Sequence, residues 1–186
     1  MLICTVLLLL SPLILGIRNL DGAQSAKVLE TYVALIGIIL FPPIFLPEQN
    51  QDLRDLIASK STDIAGIYSV RIVLSLIAAL LLAGVYMLVM RSGNCEMEAG
   101  KYFFGTMAEI IAFGGLGIFA YGLSNNLIIG YMAPLVYYAA AIGLGIEHMK
   151  KLYPFGMTID FATKYWLLAA GVILAAAGIL IRRKRR

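Results

Sequence analysis

The sequence predicts an all-α fold: a polytopic integral membrane protein with six transmembrane helices. Three observations predict it. Of the 186 residues, 61% are hydrophobic and 14% charged, against about 45–50% and about 25% in ordinary soluble domains. The apolar residues are gathered into runs close to the roughly 20 residues that cross a bilayer. The polar stretches between those runs are too short to form a separate soluble domain.

Taken in order, the expected spans are residues 2–17, 28–46, 70–90, 102–123, 127–146 and 165–181. The first run is short and interrupted by Ser11 and Pro12. It is similar to a signal peptide in its apolar stretch, and Ala23 and Ser25 give a small-x-small pattern. No basic residue precedes it, however, so retention as a first crossing helix is preferred. That choice also makes the span count even. Pro42, Pro43 and Pro47 stop the second span, since proline removes a backbone donor and restricts the residue before it. Ser61, Thr62 or Asp63 can cap the third. Its first turns carry Tyr68 and Arg71, side chains suited to reaching interfacial water. Only Ser124, Asn125 and Asn126 separate the fourth and fifth spans, which makes them antiparallel neighbours. The connection 148–162 bends at Pro154, Phe155 and Gly156 and is apolar enough to form a short re-entrant helix on the outer side.

Six spans place both termini on one side. The net charge of +4 is a feature of the tail, because five of the fifteen basic residues occupy positions 182–186. A basic cluster directly after a span points to the cytoplasm. The expected location is therefore the inner (cytoplasmic) membrane, multi-pass, with both termini and the loop 47–63 cytoplasmic. Lys164 is counted with the outer-face charges in this scheme. The charge distribution gives no nucleic-acid footprint. Cys4 in an apolar run and Cys95 in a connection suggest neither a disulfide nor a metal site.

Glu109 is the carboxylate that falls well inside an expected span. Such a group lines a pathway or pairs with a base, and Lys101 and Lys150 are the candidate bases. Glu147 and His148 sit at a span end and are weak signals. Gly114, Gly117 and Gly122 in the fourth span, and Gly171, Ala175 and Gly178 in the sixth, provide small faces for close helix packing or a subunit interface. The glycine-rich stretch at 112–119 lacks the lysine and Ser/Thr of a phosphate-binding loop. No hydrolase triad or zinc-helix motif is present either.

The polar island after the second span reads PEQNQDLRDLIASKSTD. Leu53, Leu56 and Ile57 fall at i, i+3 and i+4, giving a short helix one apolar stripe. Glu48, Asp52, Arg54, Asp55 and Lys60 surround it. This phrase, followed by Tyr68 and Arg71 entering the next span, resembles the first cytoplasmic loop of type-2 ABC transporter permeases. The resemblance implies that residues 52–59 belong to a coupling helix seated in a groove of a separate ATP-binding subunit, present in two copies. It further implies a second permease subunit, the same or different. ATP and magnesium would then be held by the partner, and no cofactor by this chain. The chain itself would not be an enzyme. An ATP-independent carrier or channel, or an assembly subunit without catalytic function, is the alternative reading. Neither includes a nucleic-acid partner, and membrane lipid surrounds the chain in both.

Overall fold

The computed structural model describes Val6 and residues 16–49 and 64–184. Five helices among the described residues are long and apolar enough to cross a membrane. The first, α1 (Gly22–Leu46), is composite: an α segment Gly22–Val28, a π turn Leu29–Val33, an α segment Leu35–Leu40 and a 3-10 helix Pro42–Gln49. The others are α2 (Ile64–Ser92), α3 (Ala99–Ser124), α4 (Leu127–Met149) and α5 (Ala162–Lys184).

Five spans correct the expected six. The expected span without a counterpart is the first, residues 2–17, of which only Val6, Gly16 and Ile17 are described. That run holds sixteen residues, short of the roughly 20 that a crossing requires. It leads into a turn at Gly16, where φ is +58°. The parity argument for both termini on one side falls with it. The described chain enters α1 at one face and leaves α5 at the other. The ends of α1 and α2 that flank residues 50–63, the α3–α4 turn and the end of α5 nevertheless share one face. The opposite face carries residues 16–21, the α2–α3 connection and residues 150–161.

Local chemistry explains the boundaries. Asn125 takes the left-handed conformation (φ 54°) and its N–H closes onto Tyr121 O, ending α3. Asn126 then caps α4, its Oδ1 accepting from Ile128 N–H at 2.9 Å. Two residues thus suffice to reverse the chain. At the other face Asn94 (φ 56°) turns the chain out of α2. The connection there is tied to residues 16–21 by Asn19 N–H to Gly93 O and Glu96 N–H to Leu20 O, both 2.9 Å.

The most apolar stretches of α1 and α3 are each 72% buried, against 28%, 17% and 22% for α2, α4 and α5. The first two therefore form the centre, and the other three present broad apolar faces outward. Leu81, Leu88, Ile128, Val136 and Ile173 are all exposed, as expected where lipid is the solvent. Helices α1, α3 and α5 run parallel, with α2 and α4 antiparallel to them.

The α3–α5 seam is the closest helix contact. A Cβ added at Gly171 would lie 2.7 Å from Ala112 backbone atoms, and one at Gly178 would lie 2.8 Å from Ile118 O. Gly115 faces Gly171 and Gly122 faces Gly178, a constant offset of 56 residues. That register sets Ala162 level with Thr106, so α5 begins roughly 10 Å along α3 from its start. In lipid no hydrophobic effect draws helices together, and close backbone approach supplies dispersion in its place. Gly171→Leu is expected to cost more than about 2 kcal/mol through overpacking. Gly84→Leu, with nothing within 4 Å of its added Cβ, is expected to be neutral, as thermal unfolding in detergent will show.

Candidate functional site

Three ionisable side chains from three helices meet inside the bundle: Glu30 of α1, Glu109 of α3 and Lys164 of α5. Their exposures are 4%, 0% and 0%. Glu30 and Glu109 lie roughly 12 and 15 Å along their helices at 1.5 Å per residue. Lys164 Nζ donates to Glu30 Oε1 at 2.7 Å, to Glu109 Oε1 and to Pro154 O. An ammonium has three N–H donors, so all of its capacity is used. Glu30 Oε1 also accepts from Met157 N–H at 2.6 Å. Glu109 Oε2 is buried and has no hydrogen-bond partner among the described residues.

Local backbone explains why these groups converge. Glu30 sits in the π turn, where Ala34 N–H reaches back five residues to Leu29 O at 3.1 Å. Single π turns inside α-helices recur at functional sites because they re-aim one side chain. Lys164 is in the first turn of α5, and the late start of that helix carries it down to the level of Glu109. The chain reaches this point through Lys150–Leu152, a 3-10 turn, and a bend in which Pro154, Gly156 and Met157 are buried. Met157 packs on Gly105. Non-helical backbone at such depth must find its partners within the protein. Lys164 satisfies the carbonyl of Pro154, and Glu30 the amide of Met157.

Aromatic side chains close the site. Phe113 packs edge-on against Tyr137 and Tyr138, and Phe155 against Tyr138 and Tyr153. Tyr138 donates to Thr31 O at 2.9 Å, and Tyr137 to Leu152 O. Tyr153, beyond the end of the α4 span, is held above the ordinary phenol range, first by burial and then by the negative charge of Glu30. A cavity of about 500 Å³ lies between α1 and α4, lined by Lys27, Thr31, Tyr32 and Tyr138 among others and by none of the three charged residues.

The sequence-based expectations need correcting in three respects. Glu109 pairs with neither Lys101 nor Lys150: Lys101 lies 3.7 Å from Glu98, and the base at Glu109 is Lys164. Lys164 is no outer-face charge, being fully buried. Glu109 is also not alone, because Glu30 shares its base. Three charged residues in or beside apolar runs, two acidic and one basic, were the available signal.

At the opposite face the ends of α1 and α2 are joined. Arg71, half-buried, donates to Ile44 O at 2.8 Å, and Tyr68 is buried at 2% exposure. Phe45 meets the Tyr68 ring edge-on at 5.2 Å and stacks on Tyr121 of α3 at 4.2 Å. The Arg182 guanidinium of α5 lies 5.5 Å from the same Tyr121 ring. Of the expected coupling residues, Glu48 lies in the 3-10 helix Pro42–Gln49. Asp52, Leu53, Arg54, Asp55, Leu56, Ile57 and Lys60 lie outside the described residues. Among the small residues, Gly114 accommodates Phe41 and Gly117 the carbonyl of Gly130. Gly171 and Gly178 form the α3–α5 seam, and Ala175 packs at the edge of the core.

Comparison with protein-family models, curated proteins and solved structures finds no match to the chain. The geometry stands by itself: a multi-pass, all-α membrane protein with a buried cluster of two carboxyls and one ammonium within the bundle. Among the described residues no three His, Cys, Asp or Glu are grouped to hold a metal ion.

Removing one partner of a buried ion pair typically costs about 3–5 kcal/mol. Lys164→Met is therefore expected to lower thermal stability sharply, since two carboxylates lose their only common cation. Glu109→Gln is expected to be far milder. In the double variant the cost of losing Lys164 should shrink, which differential scanning fluorimetry of all four proteins will read.

Proposed function

We propose that this chain is the membrane-spanning subunit of an ABC-type exporter, driven by a separate ATP-binding subunit that docks on residues 47–63. The observation that carries the reading is the joined root of that loop. Arg71 clamps α2 to the end of α1, and the Phe45–Tyr68–Tyr121 contacts run from both roots into α3. A push on the loop would thus reach the central helix through packed rings, the kind of rigid element by which coupling travels. The basic end of α5 on the same face supports a cytoplasmic orientation for it. In this reading Leu53, Leu56 and Ile57 insert into the ATPase, with Glu48, Asp52, Arg54, Asp55 and Lys60 at the rim. The cargo is amphipathic or lipid-like, in keeping with the small number of fixed charges inside.

A second reading, an ATP-independent carrier, is favoured by one observation: the Glu30–Glu109–Lys164 cluster, since ionisable groups within spans often mark transport paths. Affinity purification in mild detergent separates the two. A phosphate-loop ATPase co-purifying with the wild-type chain is expected for the exporter; its absence removes that reading and leaves the carrier.

Truncating an interface anchor commonly costs more than about 2 kcal/mol, roughly thirtyfold in affinity, and rim charges cost less. Leu56→Asp also buries an unpaired charge. It is expected to abolish ATPase recovery at matched expression, whereas Asp55→Ala leaves recovery near wild type. Equal recovery with Leu56→Asp would take the coupling role from this loop. Orientation has its own check: single cysteines at Asn50 and Asn94, with Cys4 and Cys95 replaced, should label from opposite sides with an impermeant thiol reagent. Labelling of position 50 from outside intact cells would reject the cytoplasmic assignment.

A further inference from the structure

The buried cluster contains two carboxyl groups and one ammonium. With all three ionised it carries one uncompensated negative charge among Phe113, Met157 and the backbones of three helices. An ion left uncompensated in such surroundings is far costlier than a neutral polar group. The other titratable groups around it are Tyr102, Tyr137, Tyr138 and Tyr153. Phenols ordinarily titrate near pH 10, so these supply no compensating positive charge at neutral pH. Every N–H of Lys164 is already committed.

We propose that Glu109 is a proton-binding site, holding one proton on Oε2 at neutral pH so that the cluster as a whole is neutral. The two carboxyls are not equivalent, and the difference assigns the proton. Glu30 Oε1 accepts from both the Lys164 ammonium and the Met157 amide, and donors aimed at a carboxylate favour its ionised form. Glu109 receives only Lys164, on Oε1, while its Oε2 is enclosed without a donor. A bare anionic oxygen is the costly state of that atom. A hydroxyl in its place is neutral and costs much less to leave unpaired. The site thus takes a single proton as its ligand. The stoichiometry follows from the charge balance: two acids, one base, one proton. This holds for either function proposed above, because it rests on the cluster alone.

The experiment is infrared spectroscopy of the purified full-length chain in lipid vesicles, in heavy-water buffer at neutral pH. Exposed carboxyls are ionised there and do not contribute to the C=O stretching band of a protonated carboxylic acid. The wild type should show this band. Glu109→Gln should remove it, and Glu109→Asp should shift it, whereas Glu30→Asp should leave it in place. Glu30→Gln provides a sharper outcome. With one acid gone, Lys164 alone balances the charge, Glu109 ionises and the band disappears. A wild-type spectrum without the band overturns the proposal, and needs no variant to do so. A band that survives Glu109→Gln, or that moves with Glu30→Asp, overturns it equally.

Discussion

The Lys164 ammonium is the contact on which the rest of this fold depends. It joins α1, α3 and α5, the three parallel helices, and also holds the bend at Pro154 that delivers α5 to its place. Without a cation at this point the carbonyl of Pro154 and two carboxyls would face one another in an apolar interior. Burying such groups costs several kcal/mol before compensation, so the cluster as a whole adds little to net stability over an all-apolar set, although removing the cation alone is costly. Its value lies in register. An apolar residue at 164 could slide along α3, whereas an ammonium must meet its three oxygens.

The glycine seam acts on the same register by different physics. Gly115 against Gly171 and Gly122 against Gly178 let the backbones of α3 and α5 meet at two heights seven residues apart, where a side chain would collide. Electrostatics fixes one end of the pair and steric fit the remainder. Helices α2 and α4 are tied differently, α2 by Arg71 on Ile44 O and α4 by Gly130 against Gly117 and Tyr138 on Thr31 O. Their outward faces are apolar and largely exposed.

Much of the architecture was legible because bilayer thickness imposes a length on apolar runs. The chain reversal at Asn125 and Asn126 and the small faces of α3 and α5 are local features that periodicity and turn chemistry expose, whereas Pro42 and Pro43 only switch α1 to a 3-10 helix that runs on to Gln49. The cluster was not legible in the same way. Glu30 lies in a run that otherwise reads as an ordinary span, and the π turn that re-aims it leaves no mark in hydropathy. Lys164 sits where a connection gives way to a helix, so counting it with surface charges was reasonable. Only the tertiary descent of residues 153–157 takes it inside. Tyr68 and Arg71 show the same limit. Both have amphipathic side chains that suit an interface, yet nearby partners on α1 and in the core claim them first.

The late start of α5 also governs how the chain sits in a bilayer. A helix that begins roughly 10 Å below its parallel neighbour and is slightly shorter ends about 6 Å beyond it, and α5 carries Arg182, Arg183 and Lys184 in that last turn. Arg182 is buried against Tyr121, whereas the exposed Arg183 and Lys184 prefer the headgroup layer, where anionic lipids add about 1 kcal/mol each. The offset therefore works as a draught mark on a hull: it fixes how deep the whole bundle floats. In a thinner bilayer the basic turn would pull clear of its lipid contacts or drag the α3–α4 turn with it, so membrane thickness bears directly on the helix that holds Lys164.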